Sequence, residues 1–168
     1  SYTFATNLKV INQKVPVYLC PSMVISRQVP ELSCNEPGAV GSYGVSAGTS
    51  ARGFDGVFPP DSTFDPVNGR SIRIDDIKDG TSATLFLGEV NYQHPGYVWS
   101  TASTSCPLNP ALNGLPRWGS ARWGGGYPGL SVGGTAGVFN GSSGNVTTDR
   151  ETWRSDHVGG AHFGLADG

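Results

Sequence analysis

After residue 8, no segment of this chain repeats its apolar residues at 3.6-residue intervals, and this constrains the fold more than any other feature. Without amphipathic helices to cover a sheet, apolar side chains must be buried by strands and by the loops that join them. The best strand is Ser82-Ala83-Thr84-Leu85-Phe86-Leu87-Gly88-Glu89-Val90, which is apolar, rich in β-formers and preceded by the turn Asp79-Gly80. It reads as the central strand, with Leu85 and Leu87 on one buried face because side chains alternate along a strand. Ser42-Tyr43-Gly44-Val45-Ser46 and Arg70-Ser71-Ile72-Arg73-Ile74 also alternate. Val15-Pro16-Val17-Tyr18-Leu19 is a short apolar run whose proline suits a strand start or edge. The expected architecture is mostly antiparallel β.

The 25 Gly and 12 Pro are interleaved with Trp, Tyr and Phe, a composition of ordered loops rather than a flexible linker. Long structured loops rich in Gly, Pro and Trp are expected between Thr101 and Thr148, where Trp118, Trp123 and Tyr127 stand among glycines. At 168 residues the chain fits a single domain over 1–168 that buries roughly two-thirds of its surface. Charged residues make up 14%, the formal net charge is -2, and the 11 Lys and Arg are scattered. A nucleic-acid partner, which needs a basic stripe, is therefore not expected. No apolar run reaches the roughly 20 residues of a membrane span, and the start shows no signal peptide.

The tightest group of candidate ligands is Asp156, His157, His162 and Asp167 near the end of the chain. Imidazole and carboxylate suit a divalent transition metal, and a metal-dependent enzyme around His157 is one reading. The five-residue step from His157 to His162 fits neither one strand face nor the four-residue step of helical zinc sites, although a hairpin would bring His157 near Asp167. The simpler expectation is structural: His157 hydrogen-bonds backbone, and Asp167-Gly168 turns the chain. No Gly-x-Ser-x-Gly elbow is present, and no cysteine stands in a pattern that pairs it with His94 or His157, which argues against a hydrolase. Gly124-Gly125-Gly126 lacks the Lys-Ser/Thr of a phosphate loop.

Trp99, Trp118, Trp123 and Tyr127, with Trp153, are candidate platforms for a carbohydrate or surface polymer, or else core residues. Asn140-Gly141-Ser142 and Asn145-Val146-Thr147 match the N-glycosylation pattern. Of the three cysteines, Cys20 and Cys34 are the expected disulfide. Their loop is short and contains Pro21 and Pro30, and closing it is worth about 3 kcal/mol on the chain-entropy estimate. Three buried thiols are the alternative.

Four landmarks occur in order along nearly the whole chain. They are Val17-Tyr18-Leu19-Cys20-Pro21-Ser22, Ser42-Tyr43-Gly44-Val45-Ser46-Ala47-Gly48, the segment from Asp75 to Glu89 containing Asp79-Gly80-Thr81-Ser82 and Gly88-Glu89, and His157 followed by nine residues and Asp167-Gly168. This set resembles the planctomycete family of prepilin-type proteins with a C-terminal His-nine-residues-Asp-Gly element. The resemblance implies an α+β family fold and a type IV pilin-like or type II secretion pseudopilin-like subunit. It further implies export to the periplasm or cell surface and contacts with like subunits, surface polysaccharide or secreted cargo. Because the chain opens on Ser1-Tyr2-Thr3-Phe4 without a long apolar helix, it is expected to be the globular head lacking its N-terminal helix, with membrane contact only through that segment. The resemblance also suggests a structural calcium. Asp55, Asp61, Asp65, Asp75, Asp76 and Asp79 offer hard oxygens without EF-hand spacing, and Asp75, Asp76 and Asp79 near Glu89 are the best candidate set; solvated turn acids are the alternative.

Overall fold

The computed structural model describes residues 5–34, 36–53, 55–58, 72–91, 93–94, 96–100, 110–117, 121–143 and 145–168. Strands β1 (Tyr43–Ser46), β2 (Leu85–Glu89), β3 (Val132–Gly133) and β4 (Phe163–Leu165) form one sheet in the order β3-β1-β2-β4. β2 pairs antiparallel with β1, placing Tyr43 opposite Glu89 and Gly44 opposite Gly88. It pairs antiparallel with β4 as well, Gly88 opposite Phe163 and Leu85 opposite Leu165. β1 and β3 run parallel, so the sheet is mixed, with the β1–β2 and β2–β4 pairings antiparallel as expected. The fold is mostly β, with two short α-helices among the described residues, α1 (Ala5–Ile11) and α2 (Val146–Glu151). Among the described residues no helix is long and apolar enough to cross a membrane.

Gly80 at φ +85 and a single 3-10 turn over Thr81–Ala83 lead into β2, which lies inside the sheet as its composition requires. The expected burial of Leu85 and Leu87 is only partial. Both are half-buried, and the deepest residues are Gly88, Glu89 and Val90. A register shift between Leu85 and Leu87 against β4 interrupts the simple alternation. Phe86 packs edge-on against Phe58 at 4.7 Å, so both faces of β2 carry cover at this level.

Three local readings change. Val15–Leu19 holds a 3-10 turn, Pro16–Tyr18, because a proline whose φ suits a strand edge equally suits the first position of a helical turn. Of the Arg70–Ile74 segment, Arg70 and Ser71 lie outside the described residues, and Ile74 opens another 3-10 turn, fixed by the Asp76 carboxylate accepting from Arg73 N at 3.0 Å. α2 is a helix that periodicity did not signal, since six residues are under two turns. Its start is set by Asn145, whose side chain accepts from Thr148 N.

Val29, Val40, Val90, Ala121 and Trp153 form the main core, flanked by Leu19, Met23 and Leu85. Trp153 dictates two glycines: a Cβ on Gly88 would stand 2.9 Å from its ring and 2.7 Å from Phe163, and one on Gly133 would stand 2.7 Å from it. A second cluster joins Cys34, Trp99 and Leu112. The end of α1 is tied to the body by Ala39 N donating to Ile11 O at 2.7 Å and by Trp123 Nε1 donating to Gln13 O at 2.9 Å. Within Thr101–Thr148, residues 101–109, 118–120 and 144 lie outside the described set, and the remainder is turns, β3 and the start of α2.

Gly88→Ala should destabilise the fold by about 1–3 kcal/mol through overpacking against both rings. Gly126→Ala, where the added methyl meets nothing within 4 Å, should stay within about 0.5 kcal/mol of the parent. Urea melts of the two variants check this.

Candidate functional site

β2 ends on Glu89, whose side chain is 3% exposed, so a carboxylate has been taken out of water and must be repaid with donors. Ser155 Oγ donates to Oε2 at 2.7 Å, and the backbone N of His162 donates to the same oxygen at 3.0 Å. On Oε1, His162 Nδ1 approaches to 3.1 Å and His157 Nε2 to 3.2 Å. Burial alone would push the Glu89 pKa up. The bonds from Ser155 and His162, with the nearby imidazole of His157, outweigh it and hold the group below the usual carboxylate range. On the partner strand, burial pushes Tyr43 above the usual phenol value, with Cys20 and Glu89 adding to the shift.

His157 Nε2 also lies 3.1 Å from Cys20 Sγ, although the two residues are 137 positions apart. Cys20 is buried and free. Its backbone N donates to Ser42 Oγ at 2.7 Å, while Ser22 Oγ stands 3.0 Å from its sulfur. Ser22 Oγ is 3.2 Å from each ring nitrogen of His157 and, being equidistant, lies along neither nitrogen's bonding direction. Cys20, Glu89 and His157 thus bring a sulfur, an oxygen and a nitrogen within 4.8 Å of one another, the one such ligand group among the described residues. The rings of His157 and His162 meet edge-to-face at 4.8 Å between centroids.

Asp156 fastens the adjacent backbone. One oxygen accepts from Val24 N at 2.7 Å and the other from Asn91 Nδ2 at 2.8 Å, and Arg154 Nε donates to Asn91 Oδ1 at 3.1 Å. Asp156, His157 and His162 therefore gather as a network. Asp167 does not join them. It is exposed beyond the far end of β4, in a turn where Gly168, at φ +90, donates its N–H to Leu165 O at 3.2 Å.

The Cys20–Cys34 pairing is corrected: Cys34 is disulfide-bonded, but Cys20 is not its partner. Cys20 turns its sulfur to Ser22 and His157, whereas Cys34 lies in the separate cluster with Trp99. Cys106 lies outside the described residues. The pairing of a cysteine with His157, which no sequence pattern suggested, is made by the fold.

The calcium set does not assemble either. Asp75, Asp76 and Asp79 are exposed in the turns before β2, and Glu89 points inward from the strand's other end, so they form no ligand group among the described residues. Of the candidate aromatics, Trp99 is buried in the second cluster with Arg117 stacked 4.9 Å from its ring. Trp123 packs on Tyr18 at 5.8 Å, and Tyr127 carries Arg52 at 5.7 Å. Trp118 lies outside the described residues. Trp99 is thus a core residue, whereas Trp123 and Tyr127 are half-buried and pack against exposed side chains.

Sequence reasoning missed Cys20, Ser22, Asn91 and Ser155 as members of the site, yet a signal existed. Cys20 and Ser22 belong to the first landmark, Ser42 and Tyr43 to the second, Glu89 to the third and His157 to the fourth, and all four landmarks converge here.

A folded-state pKa held below its unfolded value supplies stability that is present above the ordinary carboxylate range and is lost as pH falls through the depressed value. Glu89→Gln should therefore flatten the acid limb of the stability profile and cost about 1–3 kcal/mol at neutral pH. Denaturant melts of parent and variant from neutral pH down through the carboxylate range check both.

No curated protein and no solved structure matches this chain. A family model described as "Protein of unknown function (DUF1559)" matches residues 1–168, and the chain belongs to that family.

Proposed function

We propose that this chain is the non-catalytic globular head of a pilin-like or pseudopilin-like subunit, exported to the periplasm or cell surface, where it works by contacting like subunits. The observation that supports this reading is the convergence of the four landmarks on one internal network. Asp156, His157 and His162 bond Val24, Asn91, Cys20 and Glu89, so the signature's chemistry is used to hold the end of the chain against the sheet. A catalytic Cys-His-acid relay needs the acid on the ring nitrogen remote from the sulfur. Here Glu89 and Cys20 both approach Nε2.

Subunit contact needs apolar surface, and the first part of the chain offers it. Val10, Val17, Tyr18, Val24 and Ile25 are all exposed, Val17 at 78%. A photo-cross-linking residue at Val17, in the protein expressed in its own cell, should yield adducts with a second copy or another pilin-like subunit in the sheared surface fraction. Val17→Asp should abolish those adducts while leaving the melt within about 0.5 kcal/mol of the parent. Recovery of the protein only as an uncross-linked cytosolic monomer would refute the reading.

A further inference from the structure

We propose that Cys20, Glu89 and His157 form a binding site for a zinc ion that clasps the early part of the chain, the end of β2 and the C-terminal signature together. The inference does not depend on whether the chain assembles into a filament.

The argument begins with one overcommitted atom. His157 Nε2 has a single bonding direction, along which it carries either one proton or one lone pair, yet Cys20 Sγ stands 3.1 Å away and Glu89 Oε1 3.2 Å away. A proton on Nε2 serves only one of these atoms, and the other then keeps only its second neighbour, Ser22 Oγ for the sulfur or His162 Nδ1 for the oxygen. A cation placed among the three atoms satisfies all of them at once. Zinc bonds of about 2.3 Å to sulfur and 2.0–2.2 Å to nitrogen and oxygen put tetrahedral ligands about 3.4–3.6 Å apart, a few tenths of an ångström beyond the 3.1 Å and 3.2 Å that separate His157 Nε2 from Cys20 Sγ and from Glu89 Oε1. All three ligand atoms already lie within 4.8 Å of one another.

The surroundings fit the same occupant. A void of about 10 Å³, room for one water, borders Cys20 and Glu89 beside the site, although His157 does not line it. Ser155 Oγ and His162 N hold Glu89 Oε2, which fixes the carboxylate with Oε1 turned toward His157, as outer-shell partners do at metal centres. The thiolate selects a borderline-soft metal over calcium or magnesium. The fourth position is left to water or to a neighbouring side chain; the ring of His162, 76% exposed, lies 3.1 Å from Glu89 Oε1 through Nδ1.

The test uses the purified chain, stripped with a strong chelator and kept anaerobic without reductant so that Cys34 stays in its disulfide. Titration with zinc against a chromophoric chelator should show one ion per chain. Cobalt in its place should give a thiolate-to-metal charge-transfer band. Cys20→Ser, which removes the sulfur and leaves the Glu89 network intact, should lose that band and weaken zinc binding by at least about tenfold. His157→Gln should weaken binding to a similar extent. Added zinc should raise the melting temperature of the parent and not of Cys20→Ser. Zinc binding equal in parent and Cys20→Ser, or no cobalt band in a parent shown to be folded by circular dichroism, overturns the site.

Discussion

A buried carboxylate is the constraint on which the rest of this fold depends. The effective penalty for desolvating one ion inside a protein is several kcal/mol, and each hydrogen bond to a charged group returns about 1.5–3 kcal/mol. Glu89 therefore needs most of the partners it has, from Ser155, His157 and His162, and no single strand neighbour supplies them. The chain after Trp153 has to come back along β2 to provide donors. It does so with Arg154 N on Glu89 O at 3.1 Å, then the Asp156 anchor, then β4. Order in the last fifteen residues follows from the solvation of one side chain.

The same interaction explains why residues scattered from 20 to 162 form one connected set. The Gly88-Glu89 step joins a position where only hydrogen fits under Trp153 and Phe163 to a position where only an anion answers the donors. Ser42 holds the backbone at Cys20, and Tyr43 sits opposite Glu89 in the sheet. A change at any of these is felt by the others through contact, so the landmarks behave as one structural unit although each reads as a weak local pattern.

How far the sequence disclosed this depended on the range of the cause. β1 and β2 were legible because alternation, β-branching and the Asp79-Gly80 turn act locally, and the mostly-β fold was legible with them. The Pro16 segment was ambiguous because one fixed φ serves both an edge strand and a 3-10 turn. α2 was illegible because its start rests on a single Asn145 cap and its length is below a helical repeat. Loop-closure entropy made Cys20 with Cys34 attractive, but it says nothing about where a sulfur points. That direction was set by Ser42 and His157, 22 and 137 residues away. For the signature, a hydrogen-bond network around Asp156 and His157 is present, but the imidazole meets the side chains of Cys20, Ser22 and Glu89 rather than the backbone expected of it, while Asp167 was grouped with them by sequence nearness and separated by the length of β4.

The sheet's outer strands are also its shortest: β3 has two residues and β4 has three. An edge this brief exposes too few unpaired amides and carbonyls to template another strand, which is how sheet proteins avoid uncontrolled lateral growth. Chains of this kind can be packed at high local concentration without zipping into a continuous β-ribbon. Recognition between neighbours then falls to side chains, whose identity can vary, rather than to the backbone, which is the same in every protein.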